Sequence, residues 1–300
     1  MEGIWEWAEV FFLDRKSRGL SPKTLEFYWH GVKAMVKILG DKPVGEISAM
    51  DLRRFLAESL AEGLSPGGVM ARWRAVRAFL RWVAQEGGLP DPGVLSRVKP
   101  PKVPEADLPV VRASEIRRLL AAAHTSLTPL RDTAIILLLW DTGLRAGELL
   151  GIRLGDVLSH GVRVRRKGGH EQVLPVSLPT KRALRAYVQS ERPESDWDVL
   201  FLTKGGEPLT YNGLRSALMR LAEKAGVPYK PPHAFRRGAA VAMVKNGLNP
   251  YALQLLMGHK DQSITARYVR LAEKDLAEAH HAASPVLSLG TLRRRAGPSS

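Results

Sequence analysis

The feature that most limits how this chain can fold is a run of six prolines, Pro90, Pro92, Pro100, Pro101, Pro104 and Pro109, within twenty residues. Proline has no backbone N–H and holds φ near about −65°, so such a run neither continues a helix nor fills a central strand. It reads as an extended linker over 89–110, announced by Gly87-Gly88-Leu89-Pro90, and it carries two basic residues, Lys99 and Lys102. A chain of 300 residues exceeds one average domain, and here is the place to divide it.

The part before the linker, 1–88, is punctuated by a repeat: Gly19-Leu20-Ser21-Pro22 recurs as Gly63-Leu64-Ser65-Pro66. Each copy can end one helix on Gly, cap the next with Ser and place Pro in its first turn. Ser48 with Asp51 suggests a third start. Four helices are predicted, near 3–17, 22–39, 48–62 and 66–86, with Trp5, Phe12, Phe27, Val32, Phe55, Phe79 and Val83 supplying a core.

After the linker the pattern is mixed. Ser114 opens a helix to about Ala123, and Thr128-Pro129 opens another to about Asp141. Val162 and Val164 alternate with Arg163 and Arg165, and an apolar strand pattern resumes at Val173, Leu174 and Val176. Between them Lys167-Gly168-Gly169 makes the basic tip of a β-hairpin. Helices follow near 180–189, 211–225, 234–246, 250–257, 263–271 and 273–282, and 284–300 reads as a disordered basic tail. The fold class is mainly α with one small β-hairpin in the second domain, 111–283.

The formal net charge is +15, with 16 basic and 14 acidic residues over 1–110 against 29 and 16 over 111–300. A surplus concentrated in the second part points to a polyanion, nucleic acid before an anionic membrane. There is no cysteine, which excludes disulfides, thiolate zinc sites and cysteine nucleophiles. His280-His281 lacks the carboxylate–His spacing of a metal site, so no metal and no cofactor are expected. No apolar run approaches the roughly 18 residues of a membrane span, and Met1-Glu2-Gly3-Ile4 does not open a signal peptide. A cytoplasmic protein without membrane contact is the expectation.

Four short segments carry groups suited to a phosphodiester. In Thr142-Gly143-Leu144-Arg145-Ala146-Gly147-Glu148-Leu149 one helix stops and another starts, which puts Arg145 beside a helix N-terminus. The hairpin tip offers Lys167. His233-Ala234-Phe235-Arg236 sets a His and an Arg one turn apart on one helix face. Met257-Gly258-His259 is followed by Tyr268, and Asn249-Pro250 starts the helix that Gly258 ends.

In this order the segments resemble the tyrosine recombinase family, which includes phage integrases and Xer-type chromosome-dimer resolvases. Arg145 fits T-G-x-R-x-x-E-L, Lys167 the hairpin lysine, His233 and Arg236 H-x-x-R, and Gly258-His259 L-G-H; Tyr268 stands nine residues after His259. The resemblance covers nearly the whole chain, specifically over 111–283 and loosely over 1–88, which is similar to a SAM-like core-binding domain. It implies two domains forming a clamp around double-stranded DNA, monomeric in solution and tetrameric on two DNA sites. A directionality factor and association with the nucleoid go with it. Met257 departs from the commoner Leu, Arg237 from a His usual in Xer-type members, and Val269-Arg270 from their Thr-His. These departures argue for a mobile-element integrase over a dimer resolvase.

The resemblance also implies roles. Tyr268 attacks and stays bonded to the 3′-phosphate, which conserves the bond energy without ATP or metal. Arg145 and Arg236 donate to the non-bridging oxygens, where charge builds up. His233 and His259 add donors, His233 takes the tyrosine proton, and Lys167 protonates the leaving 5′-oxygen. Glu148 is expected to hold Arg145 or His233. Arg165, Arg166, Arg237, Lys99 and Lys102 are expected on the DNA backbone; Arg165 and Arg166 are set aside as the hairpin acid because an arginine is a poor proton donor. A type IB topoisomerase would share the chemistry, but the amphipathic segment from Leu271 to about Ala283 suits docking on a neighbouring protomer. A non-catalytic DNA-binding protein needs no nucleophile, and an RNA-binding protein would call for aromatic platforms not found among the strands.

Overall fold

The computed structural model of the protein describes residues 3–89, 91–103, 109–166 and 169–258. Lys167, His259, Tyr268, the helices expected near 263–271 and 273–282, and the tail from 284 lie outside the described residues. The chain divides into two compact units, Met1–Asp107 and Leu108–Ser300.

The first unit holds four helices: α1 (Ile4–Ser17), α2 (Pro22–Leu39), α3 (Ala49–Ala61) and α4 (Pro66–Gln85). The repeated punctuation acts as local chemistry requires. Ser21 and Ser65 accept from the backbone N–H groups of Thr24 and Gly68 at 3.3 and 3.2 Å. Ser48 and Asp51 satisfy each other's backbone at 3.2 and 2.8 Å. Each such cap stabilises its helix by about 1 kcal/mol. Phe11 is at the centre, with ring centroids of Phe79 and Trp82 each 5.4 Å away.

Two details differ from expectation. Phe27 is 39% exposed, because α2 turns Val32, Met35 and Ile38 inward and leaves its first turns at the rim. The proline-rich segment is also not linker throughout. A 3-10 turn at Pro92–Leu95 lets Leu89, Val94, Leu95 and Val98 pack into the first core. Prolines stop helices, but the apolar residues between them still gain about 1.5–3 kcal/mol each by burial.

In the second unit α5 (Ala113–Ala123) leads to α6 (Pro129–Thr142), the short α7 (Ala146–Leu150), strands β1 (Val162–Arg165) and β2 (Glu171–Leu174), then α8 (Leu178–Ser190), α9 (Tyr211–Lys224), α10 (Pro232–Lys245) and α11 (Pro250–Met257). The start of α5 is set by Glu115 accepting from the Arg112 N–H at 2.7 Å, not by Ser114. Helix α6 buries Ala134, Ile135, Ile136, Leu138 and Leu139, so it lies inside the unit with others around it. The strands pair antiparallel, from Val162 opposite Leu174 to Arg165 opposite Glu171, so β2 begins two residues before the apolar pattern does. Among the described residues no helix is long and apolar enough to cross a membrane.

Candidate active site

The site is assembled where α6 ends, α7 begins and α11 ends. Helix α6 closes on Gly143, whose φ of 62° is left-handed and favours glycine. A Cβ at this position would lie 2.3 Å from Met257 Cε, so the turn after α6 packs directly on the last residue of α11. Two residues later the chain restarts as α7, with Arg145 at its cap position.

Glu148 fixes that restart. Its Oε2 accepts from the Arg145 backbone N–H at 2.9 Å, and its Oε1 from Arg145 Nη1 at 2.7 Å. A third donor, Arg166 Nη1, reaches Oε2 at 2.9 Å. The Glu148 side chain is only 6% exposed, that of Arg145 38%. Burial works to raise the Glu148 carboxyl, but the hydrogen bonds from Arg145 and the charge of Arg166 outweigh it and hold it below its ordinary value. The carboxylate stays charged between its two arginines while Arg145 keeps a face toward solvent.

Helix α10 brings His233 and Arg236 to the same place. Arg236 is buried and donates to the carbonyls of Gly143 at 2.7 Å and Met257 at 2.6 Å. It therefore joins the ends of α6 and α11, where carbonyl dipoles favour a cation. His233 is at the surface, and partial burial of its ring holds its pKa below the usual histidine value. The charges of Arg236, Arg237 and Arg145 act in the same direction, and Glu148 opposes them. Neutral imidazole near pH 7 is the form that can accept a proton.

Arg166 is placed differently from the expectation that it lies on DNA. Its side chain is 9% exposed and donates to Glu148, Gln172 Oε1 at 3.1 Å, and the Leu256 and Met257 carbonyls at 2.6 and 3.3 Å. The signal was in the alternation itself. If Val162 and Val164 face inward, position 166 faces inward too. Arg165 faces out, paired with Glu171 at 3.1 Å. Arg237 donates to the Pro109 carbonyl at 2.9 Å. Lys99 and Lys102 are exposed on the first unit. Gln172, which sequence reading did not single out, donates to the Leu255 carbonyl at 3.1 Å, and only its place on β2 hints at it. A cavity of about 460 Å³ between the α5–α6 turn and α9 holds none of the site residues. Among the described residues no cluster of His, Asp and Glu could hold a metal ion.

Comparison with known proteins bears on the whole chain. The Phage integrase family matches residues 109–275, and the Phage integrase N-terminal SAM-like domain matches 12–87. Tyrosine recombinase XerA of Thermococcus kodakarensis is 31% identical over 90% of this chain and 93% of its own. Tyrosine recombinase XerC of Corynebacterium glutamicum is 32% identical over 89% and 87%. In fold the chain is similar to a lambda integrase dimer bound to a COC′ core site, with a TM-score of 0.76 at 20% identity over 91% of this chain and 97% of that one. With more than half its length matched by that family, the chain belongs to the phage integrase family and is a DNA strand-breaking and rejoining enzyme of the tyrosine recombinase type.

Proposed function

We propose that the protein is a site-specific recombinase that cuts and rejoins double-stranded DNA through a 3′-phosphotyrosine at Tyr268. The observation that supports this reading best is the convergence of Arg145, Glu148, His233 and Arg236 at the ends of α6 and α11. Two arginines and a neutral histidine beside one another suit a phosphodiester whose oxygens gain charge in the transition state. In the proposed cycle His233 accepts the Tyr268 proton as the phenolic oxygen attacks phosphorus. Arg145, Arg236 and His259 stabilise the oxygens, and Lys167 gives a proton to the departing 5′-oxygen. Reversal with a new 5′-hydroxyl joins strands, so no nucleotide and no metal are consumed. Arg165, Arg237, Lys99 and Lys102 are proposed DNA contacts, and four protomers on two sites the working assembly, in the cytoplasm on nucleoid DNA.

The test is a suicide substrate nicked near the cleavage site, run on a denaturing gel. The unaltered chain should give a covalent band in excess chelator, and Tyr268→Phe should bind DNA equally and give none. A band surviving in the variant moves the nucleophile elsewhere. Dimer resolution is a second reading, favoured by relatives that carry Xer names over most of their length. Integration is favoured by Arg237 and Val269-Arg270, and only under it is a directionality factor expected. Recombination between two sites next to the gene, compared with sites at the replication terminus, separates them.

A further inference from the structure

We propose that Arg166 is a positioning residue: it ties the end of β1 to the end of α11 and to the Glu148–Arg145 pair, and the proton transfer assigned to its sequence neighbour Lys167 depends on that tie. This rests on the recombinase reading and names a residue that reading did not use. Arg166 acts through both its backbone and its side chain. Its N–H donates to the His170 carbonyl at 2.7 Å, and its carbonyl accepts from the Gly169 N–H at 3.1 Å, so both of its backbone groups are bonded to the start of the returning strand. Its guanidinium keeps Nε on Gln172 of β2 and sends both terminal nitrogens out of the hairpin. Nη2 and Nη1 reach the Leu256 and Met257 carbonyls, ninety residues on, and Nη1 also reaches Glu148.

The geometry answers an electrostatic need at both ends. Helix α11 stops at Gly258 with φ 61°, which leaves carbonyls pointing out of its last turn. Gln172 takes that of Leu255, Arg166 those of Leu256 and Met257, and Arg236 shares the last. A Cβ on Gly258 would sit 3.2 Å from Arg166 Nε, so the two are packed in contact. Lysine has one nitrogen and could not meet two carbonyls, a carboxylate and an amide at once. The residue adjacent to Arg166 in sequence is Lys167, so the backbone that carries the proposed proton donor starts from the residue these bonds hold. A misplacement of about 1 Å at a proton-transfer step costs on the order of 100-fold in rate.

Single-turnover cleavage by wild type, Arg166→Ala and Arg166→Lys is measured on ordinary DNA and on DNA with a 5′-bridging sulfur, a leaving group that needs no proton. DNA affinity is measured over a range of salt. Arg166→Ala should cleave ordinary DNA about 10- to 100-fold slower and sulfur DNA within about threefold of wild type, with affinity and its salt slope unchanged. Arg166→Lys should recover part of the rate. Equal slowing on both substrates overturns the proposal. So does an unchanged saturated rate with a salt slope smaller by about one, the mark of a lost phosphate contact. If Arg166→Ala does not fold, Arg166→Lys decides by the same two ratios. The recombinase reading itself fails on a separate observation, the absence of any adduct with the unaltered chain.

Discussion

The Arg236 guanidinium donates to the Met257 carbonyl at 2.6 Å, and its other terminal nitrogen reaches Gly143 at 2.7 Å. One buried cation thus bonds the ends of two helices, and in the proposed cycle it also stabilises the scissile phosphate. Arg236→Ala should therefore lose on the order of 3 kcal/mol of transition-state stabilisation, roughly 100-fold in rate. It should also lose on the order of 2 kcal/mol of fold stability, because buried carbonyls go unpaired. Arg145→Ala removes a half-exposed side chain and should cost rate with little stability. Thermal melting beside single-turnover cleavage checks both. Equal melting temperatures for the two variants would contradict the double role.

Glu148 makes stability depend on pH in a defined direction. Its carboxyl lies below the ordinary 4.5 in the folded chain, so the unfolded chain takes up the proton first as pH falls. The stabilisation is complete above about pH 4.5 and fades as pH drops through the lower folded value. Glu148→Gln removes it. The gap in melting temperature between wild type and variant should be constant from about pH 6 to 8 and narrow below about 4.5. A gap that stays flat into acid would mean that Glu148 is not held as an anion.

Much of this was legible because it is local. Helix α2 over Pro22–Leu39 and α11 over Pro250–Met257 match the predicted 22–39 and 250–257, since Ser21 and Asn249 cap them, and Gly40 and Gly258 end them. Arg145 and Arg236, which the family motifs single out, reach Glu148 and Met257 for the same reason: their two motifs sit at helix starts that the local sequence specifies. What stayed hidden is set by distant contacts. Arg166 finds its acceptors ninety residues away, and Leu89, Val94 and Val98 find a core that a run of prolines conceals. Phe27 shows the converse, an aromatic residue left at the rim because its helix had enough other apolar positions to bury.

His233 should set the acid side of the pH–rate profile. Partial burial and the nearby Arg236, Arg237 and Arg145 keep it below the usual histidine value, so it is neutral at pH 7. As the proposed proton acceptor it should hold the cleavage rate level down to pH values below about 6.5. Arg237→Ala removes one of the like charges, and the acid limb should then move to higher pH. Profiles of single-turnover cleavage for wild type and variant test this. A limb that does not move, or moves down, would assign the acid limb to another group.

The contact between Gly143 and Met257 should be measurable as a coupling. Gly143 has φ 62°, where an alanine is strained by roughly 1–2 kcal/mol whatever surrounds it. The added Cβ would also lie 2.3 Å from Met257 Cε and 2.9 Å from Sδ. Methionine is flexible, but Met257 is fully buried with Ala239, Ala240 and Leu253, so moving it disturbs that cluster. Gly143→Ala should therefore cost about 2–3 kcal/mol in the wild-type background, strain and overpacking together. In a Met257→Ala background the steric part disappears and only the backbone strain remains. Urea unfolding of the four proteins should give a coupling of about 1 kcal/mol, with the second substitution softening the first. The effect should reach chemistry as well, because Arg236 hangs between these same two carbonyls. Gly143→Ala alone should slow cleavage more than the double variant does, relative to each parent. Additive stabilities, or equal slowing in both backgrounds, would show that the ends of α6 and α11 are not held by this contact.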